Sequence, residues 1–232
     1  MAPRIVKAHA MRRNEILDVA QRLIYTKGYE QMTIQDILDG LQISKGAFYH
    51  YFDSKQALLE AIIERMQQEV EQILLPIVQD PQLPALEKLN RFFATVSSWK
   101  TARKDFFLAL LRVWYTDDNA IVRQKLRTTG VAWLAPRLSA IIRQGVEEAV
   151  LTTSYLDWVG EVVLALVMEL GETLGRLLLS FGPKHDDMLR IEGTVAVYTD
   201  ALERVLGAPK HSLHIVDAET LSEWFVSPRD NT

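Results

Sequence analysis

Residues 43–59 read ISKGAFYHYFDSKQALL and set Phe48, Tyr49, His50, Tyr51 and Phe52 in an unbroken row between Lys45 and Lys55. The ammonium groups attract anions, the phenols and the imidazole can donate hydrogen bonds, and all five rings bring flat apolar edges. Such a run suits a buried ring cluster, a nest of proton-transfer groups, or a surface that reads an anionic partner.

Helical angle divides the row. On a helix starting at Ser44, successive residues differ by about 100°. Phe48 and Phe52 then share one face, flanked by Ala47 and Tyr51, whereas Lys45 and Tyr49 share another and Gly46 and His50 a third. Five rings cannot all point inward, so Phe48 and Phe52 are expected in a core and Lys45, Tyr49 and His50 at the surface. That outward set offers what a duplex asks of a reading helix: a cation for phosphate, side-chain donors, and apolar edges for thymine methyls. Gly46 lets the helix start come close to a phosphate.

Catalytic alternatives find little support. There is no G-x-S-x-G, no Gly-rich phosphate loop and no H-E-x-x-H. His211 and His214 are spaced to share a metal only on a helix, and they follow Pro209 in an expected irregular tail without a third ligand. His185-Asp186-Asp187 reads as a helix-start loop. No metal, cofactor or catalytic residue is expected.

The elements that must hold the ring row are helices. Ile16, Leu17, Ala20, Leu23 and Ile24 form one helical face in a first helix from about Met11, and Gly28 suits its end. Thr33 followed by Asp36 is an acidic capping box opening a short second helix to about Leu41, and Ser44 caps a third. Two short helices across a tight turn behind a longer one make a helix-turn-helix unit. From Ser54 a fourth, connecting helix runs to about Leu75, where Pro76 is expected to end it. Further amphipathic stretches follow, with Pro136 expected to kink or break a helix spanning Ile121 to about Val150. The expected fold is all-α: a three-helix N-terminal domain, then a bundle of about six helices.

The segment TIQDILDGLQISKGAFYHYFDSKQALLEAI, residues 33–62, resembles the DNA-binding signature of the TetR family of transcriptional regulators. The likeness rests on Thr33, Ile37, the turn Ile43-Ser44-Lys45-Gly46, the run Tyr49-His50-Tyr51-Phe52, and Lys55 with Leu58. It implies a homodimeric repressor on pseudopalindromic double-stranded DNA, with Thr33, Ser44, Lys45, Gly46, Tyr49, His50, Tyr51 and Lys55 at the interface. It also implies release by a small-molecule effector bound in the C-terminal part, which divides the chain by role into about 11–56 and 57–232. Gln42 departs from the family's usual turn glycine, and Leu38 from its usual alanine in helix two. A non-glycine residue at positive φ costs roughly 1 kcal/mol.

For the effector, inward-facing candidates are Met66, Phe93, Phe107, Leu111, Trp114, Trp133 and Met168, with Arg112 and Glu169 as polar members. Aromatic stripes at helical spacing are equally what an ordinary core requires. The segments 156–181 and 188–206 are apolar over more than one core-facing stripe, so they are expected to pair between two copies; Gly171 and Gly175 would allow close approach. Two other accounts stay open: a DNA-binding regulator controlled by a protein partner, and a helical carrier or enzyme that merely retains a helix-turn-helix.

Composition agrees with a polarised, folded chain. Of 232 residues 48% are hydrophobic, and the net charge is −4. Residues 1–56 carry eight Lys/Arg against six Asp/Glu, net +2, leaving eighteen against twenty-four, net −6, in the remainder. With no cysteine and no apolar leader, a cytoplasmic location is expected. The apolar tract Val159–Phe181 carries Glu161, Glu169, Glu172 and Arg176, charges that a bilayer disfavours, so no membrane partner is expected.

Overall fold

Helix starts fall where the sequence places its caps. Thr33 Oγ1 accepts the Asp36 N–H (3.1 Å) while the Asp36 carboxylate accepts the Thr33 N–H (2.9 Å), closing the capping box. Ser44 Oγ accepts the Ala47 N–H (3.2 Å), and Ser54 Oγ accepts the Ala57 N–H (3.0 Å). Each bond satisfies an amide that a helix's first turn leaves without an internal partner.

The computed structural model describes residues 3–115, 120–180 and 185–225, and among these it contains ten α-helices and no strand. They are α1 (Pro3–Lys27), α2 (Ile34–Leu41), α3 (Lys45–Tyr49), α4 (Lys55–Gln79), α5 (Ala85–Thr101), α6 (Lys104–Trp114), α7 (Ala120–Glu147), α8 (Val159–Ser180), α9 (His185–Leu206) and α10 (Ala218–Phe225). The fold is all-α. Phe181, at the end of the expected α8 stripe, and Asp117-Asp118-Asn119, expected to close α6, lie outside the described residues.

Four boundaries differ from expectation. Helix α1 starts at Pro3 rather than near Met11, with proline at the first helical position, where its missing N–H costs nothing. Helix α4 continues through Pro76 to Gln79, and α7 continues through Pro136 as one element. Each proline forfeits one backbone hydrogen bond, but Leu74 beside the first and Ala135, Leu138, Ile141 and Ile142 around the second are buried, so tertiary packing offsets the loss. Helix α3 closes at Tyr49 rather than Phe52; the Phe52 N–H still bonds the Phe48 carbonyl (3.1 Å), which keeps those rings on one face.

By packing, the chain forms two compact units: Met1–Gln68 with Asp105–Leu126, and Glu69–Lys104 with Arg127–Thr232. In the first, α1 buries Ile16, Leu17, Ala20 and Ile24, α2 buries Ile37 and Leu38, and Phe48, Phe52, Leu58 and Ile62 are buried after them. In the second, one cluster joins Leu89, Phe92 and Phe93 of α5, Leu138 and Ile142 of α7, Val163 and Leu170 of α8, and Ile191, Leu202 and Leu206 of α9. Helix α10 adds Leu221 and Phe225 to that cluster, and its Trp224 Nε1 donates to Thr101 Oγ1 (2.7 Å). Two buried charges in this unit are satisfied: Lys88 Nζ donates to the Val78 carbonyl and Gln144, and Glu203 accepts the Ser212 and Leu213 N–H groups.

Candidate nucleic-acid interface

Helix α2 ends in a left-handed turn. Gln42 stands at φ 53°, ψ 44°, its N–H on the Asp39 carbonyl (3.3 Å), and the next N–H, from Ile43, reaches back to the Leu38 carbonyl (3.1 Å). This paired closure satisfies two end-of-helix carbonyls and turns the chain sharply into the Ser44 cap. It is the left-handed conformation that a glycine takes without strain, held here by a glutamine.

Helix α3 then sorts its side chains as its angles require. Phe48 is fully buried (0% exposed) and Phe52 is buried beside it, ring centroids 5.9 Å apart. Lys45, Gly46 and His50 are exposed, as is Tyr49 at 41%. Lys45 Nζ lies 5.9 Å from the Tyr49 ring centroid, so the cation and the phenol share one face as their four-residue spacing dictates. The apolar side anchors the helix and the polar side is presented to solvent.

The remaining predicted contacts are less free. The Thr33 hydroxyl is engaged in its capping box with Asp36, and the Ser44 hydroxyl caps α3, although both residues are exposed. Lys55 is half-buried: its Nζ lies 4.3 Å over the Tyr29 ring and donates to the Glu30 carbonyl (3.3 Å). Burial pulls its ammonium below the ordinary lysine range, with Glu30 opposing the shift. Tyr51 is half-buried against His9 of α1, centroids 4.5 Å apart, and His9 also meets His50 edge-on at 5.5 Å. Sequence reasoning missed His9. Its signal is position: His9 and Arg13 extend the Ile16–Ala20 face of α1 backwards by two turns once the helix is known to begin at Pro3.

The nine predicted effector residues divide between the two units. In the first, Met66 is buried, Phe107, Leu111 and Trp114 are half-buried and Arg112 is exposed. In the second, Phe93 is buried, Met168 is half-buried, and the exposed Glu169 pairs with Arg176 (3.0 Å). Trp133 donates its Nε1–H to Glu71 (2.7 Å) and lies under the Arg137 guanidinium (4.4 Å), which itself pairs with Glu71. A concavity of about 360 Å³ in the first unit, walled by Arg22, Tyr25 and Phe106, includes none of the nine. One of about 290 Å³ in the second, walled by Asn90, Arg91 and His214, includes none either. His211 sits in a turn at φ 61° rather than on a helix, and no group of three metal-ligating side chains occurs among the described residues. No helix among them is long and apolar enough to cross a membrane.

Comparison with known proteins agrees with this geometry. Residues 16–62 match the family described as "Bacterial regulatory proteins, tetR family". The HTH-type transcriptional repressor DhaR of Mycobacterium sp. (strain GP1) is 23% identical over 56% of this chain and 65% of its own length. The HTH-type transcriptional regulator EthR of Mycolicibacterium smegmatis is 29% identical over 46% of this chain and 57% of its own. The chain thus spans under two thirds of either relative. A TetR transcription regulator from Haloarcula marismortui shares the fold, with a TM-score of 0.59 at 18% identity over 85% of this chain and 97% of that one. The relatives and fold neighbours are regulators rather than enzymes. It is thus the N-terminal helix-turn-helix domain, residues 16–62, that is of the tetR family of bacterial regulatory proteins.

Proposed function

We infer that the protein is a cytoplasmic, homodimeric transcriptional repressor that reads a pseudopalindromic operator through α3 and leaves it when a small hydrophobic effector binds the C-terminal part. The observation that carries this is the division of α3: Phe48 and Phe52 are buried while Lys45, Tyr49 and His50 are presented on the outside. Residues 11–56 serve as the DNA-binding part, and 57–232 serve assembly and sensing.

Dimerisation through 156–181 and 188–206 is supported by apolar side chains left exposed on α8 and α9: Val162, Leu179, Leu189 at 64% and Val197 at 67%. Gly171 and Gly193 add sites where even a Cβ would meet no atom of the same chain within 4 Å, leaving room for a neighbouring helix. Helix α4 supports a lever, because it runs unbroken for 25 residues after the helix-turn-helix. Two reading helices must stand roughly 34–36 Å apart to enter successive major grooves. An effector that alters α4 changes that spacing.

The test is binding to a duplex selected by the wild-type protein from a random pool. Tyr49→Ala and Lys45→Ala are expected to weaken binding by about 1–3 kcal/mol each with unchanged unfolding midpoints. Wild-type affinity in both would refute the assignment of α3 as the reading helix.

A further inference from the structure

His9 lies outside the residues 16–62 that match the family, yet its ring sits on the tip of the candidate interface, 4.5 Å from Tyr51 and 5.5 Å from His50 by centroids. One turn further along α1, the Arg13 guanidinium lies 5.3 Å over the Phe52 ring. Residues 1–13 hold Arg4, Lys7, Arg12 and Arg13 and no acid; the first acid, Glu15, pairs with Arg12 (2.7 Å). His9 is exposed, and Arg13, although it lies over the buried Phe52 ring, keeps part of its surface in solvent, so the core leaves both side chains open to an outside partner. A cation and an imidazole beside the reading helix are instead what a phosphate backbone attracts.

We propose that the DNA-contacting surface is composite: the first turns of α1, through His9 and Arg13, form its second edge and hold backbone phosphates beside the groove that α3 enters. This rests on the DNA-binding function inferred above. Arg13 supplies a permanent charge. His9 supplies an N–H donor, its ring set against His50 and Tyr51 after α3.

The experiment uses the full chain and the duplex it selects from a random pool, with affinity followed by fluorescence anisotropy between about 50 and 200 mM salt. Arg13→Gln is expected to make the salt slope shallower by about 1 per bound protomer, so that affinity falls about three- to fourfold less across that range. His9→Phe, which keeps a ring against His50 and Tyr51 but removes the N–H donor, is expected to weaken binding about three- to tenfold, the worth of one hydrogen bond. Urea midpoints of both variants show that the fold is kept. If wild type binds the duplex and Arg13→Gln keeps the wild-type salt slope or His9→Phe the wild-type affinity, that residue is removed from the surface; if both do, the composite surface is overturned alone. If wild type selects no duplex, the DNA-binding function falls with it.

Discussion

Gln42 stores backbone strain in a solvent-exposed turn, and two substitutions isolate it. An L-residue in the left-handed region costs roughly 1–2 kcal/mol, and Gln42 stands there at φ 53°. Replacing it by glycine relieves that cost but adds about 0.4–1 kcal/mol of unfolded-chain freedom, for a net gain of about 0.5–1 kcal/mol. Gly28 provides the mirror experiment. It ends α1 at φ 81°, and a Cβ there would meet nothing within 4 Å, so Gly28→Ala introduces strain without collision. A net loss of about 0.5–1 kcal/mol is expected from it. In a chain of this size each kcal/mol moves Tm by roughly 2–4 °C, which gives opposite shifts of about 1–4 °C for the two variants. Urea and thermal unfolding followed by far-UV circular dichroism measure both. Gln42→Ala is the control, since it keeps the strain and removes only the exposed amide; it should match wild type. If Gln42→Gly is no more stable than Gln42→Ala, or if Gly28→Ala leaves stability unchanged, left-handed strain is not what sets the energy of these turns.

Asp36 gives a pH signature. The Lys27 ammonium bonded to it (2.6 Å), then the Thr33 N–H and hydroxyl, lower its carboxyl from the ordinary 3.8 to about 2. A lowered folded value means that its contribution is complete above 3.8 and is lost as pH falls through about 2. Asp36→Asn should therefore flatten that part of the acid-denaturation curve, and an unchanged curve would count against the capping box as an acid-sensitive element. In the second unit, a Cβ at Gly160 would overlap the Ala135 carbonyl and lie 3.0 Å from Ser139 N, so Gly160→Ala should cost about 1–3 kcal/mol in urea unfolding. An unaltered midpoint would mean that α7 and α8 yield more readily than this close approach implies.

The helix-turn-helix was legible because its signals are local. Thr33 with Asp36, Ser44 and Ser54 act within three residues of themselves, and the burial of Phe48 and Phe52 follows from helical angle alone. Likewise, Leu221, Trp224 and Phe225 stand at helical spacing, and Ala218–Phe225 is a short helix that packs them on the second unit's cluster. Boundaries at Pro76 and Pro136 misled because the apolar contacts that outweigh a lost hydrogen bond come from residues distant in sequence. His9 was hidden for the same reason: its neighbours are some forty positions away, and RIVKAHAM, with no apolar period, gives no sign that α1 reaches back to Pro3. The effector candidates show the limit of periodicity. It indicates that Trp133 leaves the solvent side, but not that Glu71 and Arg137 await it there.

The two-sided construction of α3 also separates inheritance from innovation. Phe48 and Phe52 determine whether the helix is held, whereas Lys45 and His50 stand in solvent and Tyr49 meets the core only edge-on, its ring 5.4 Å from that of Phe48. Exchange of Lys45 or His50 leaves the scaffold's stability nearly unchanged, since surface substitutions of this kind usually move it by no more than about 0.5 kcal/mol. A lineage built on this chain can thus vary the outward face of α3 one residue at a time without passing through an unfolded ancestor.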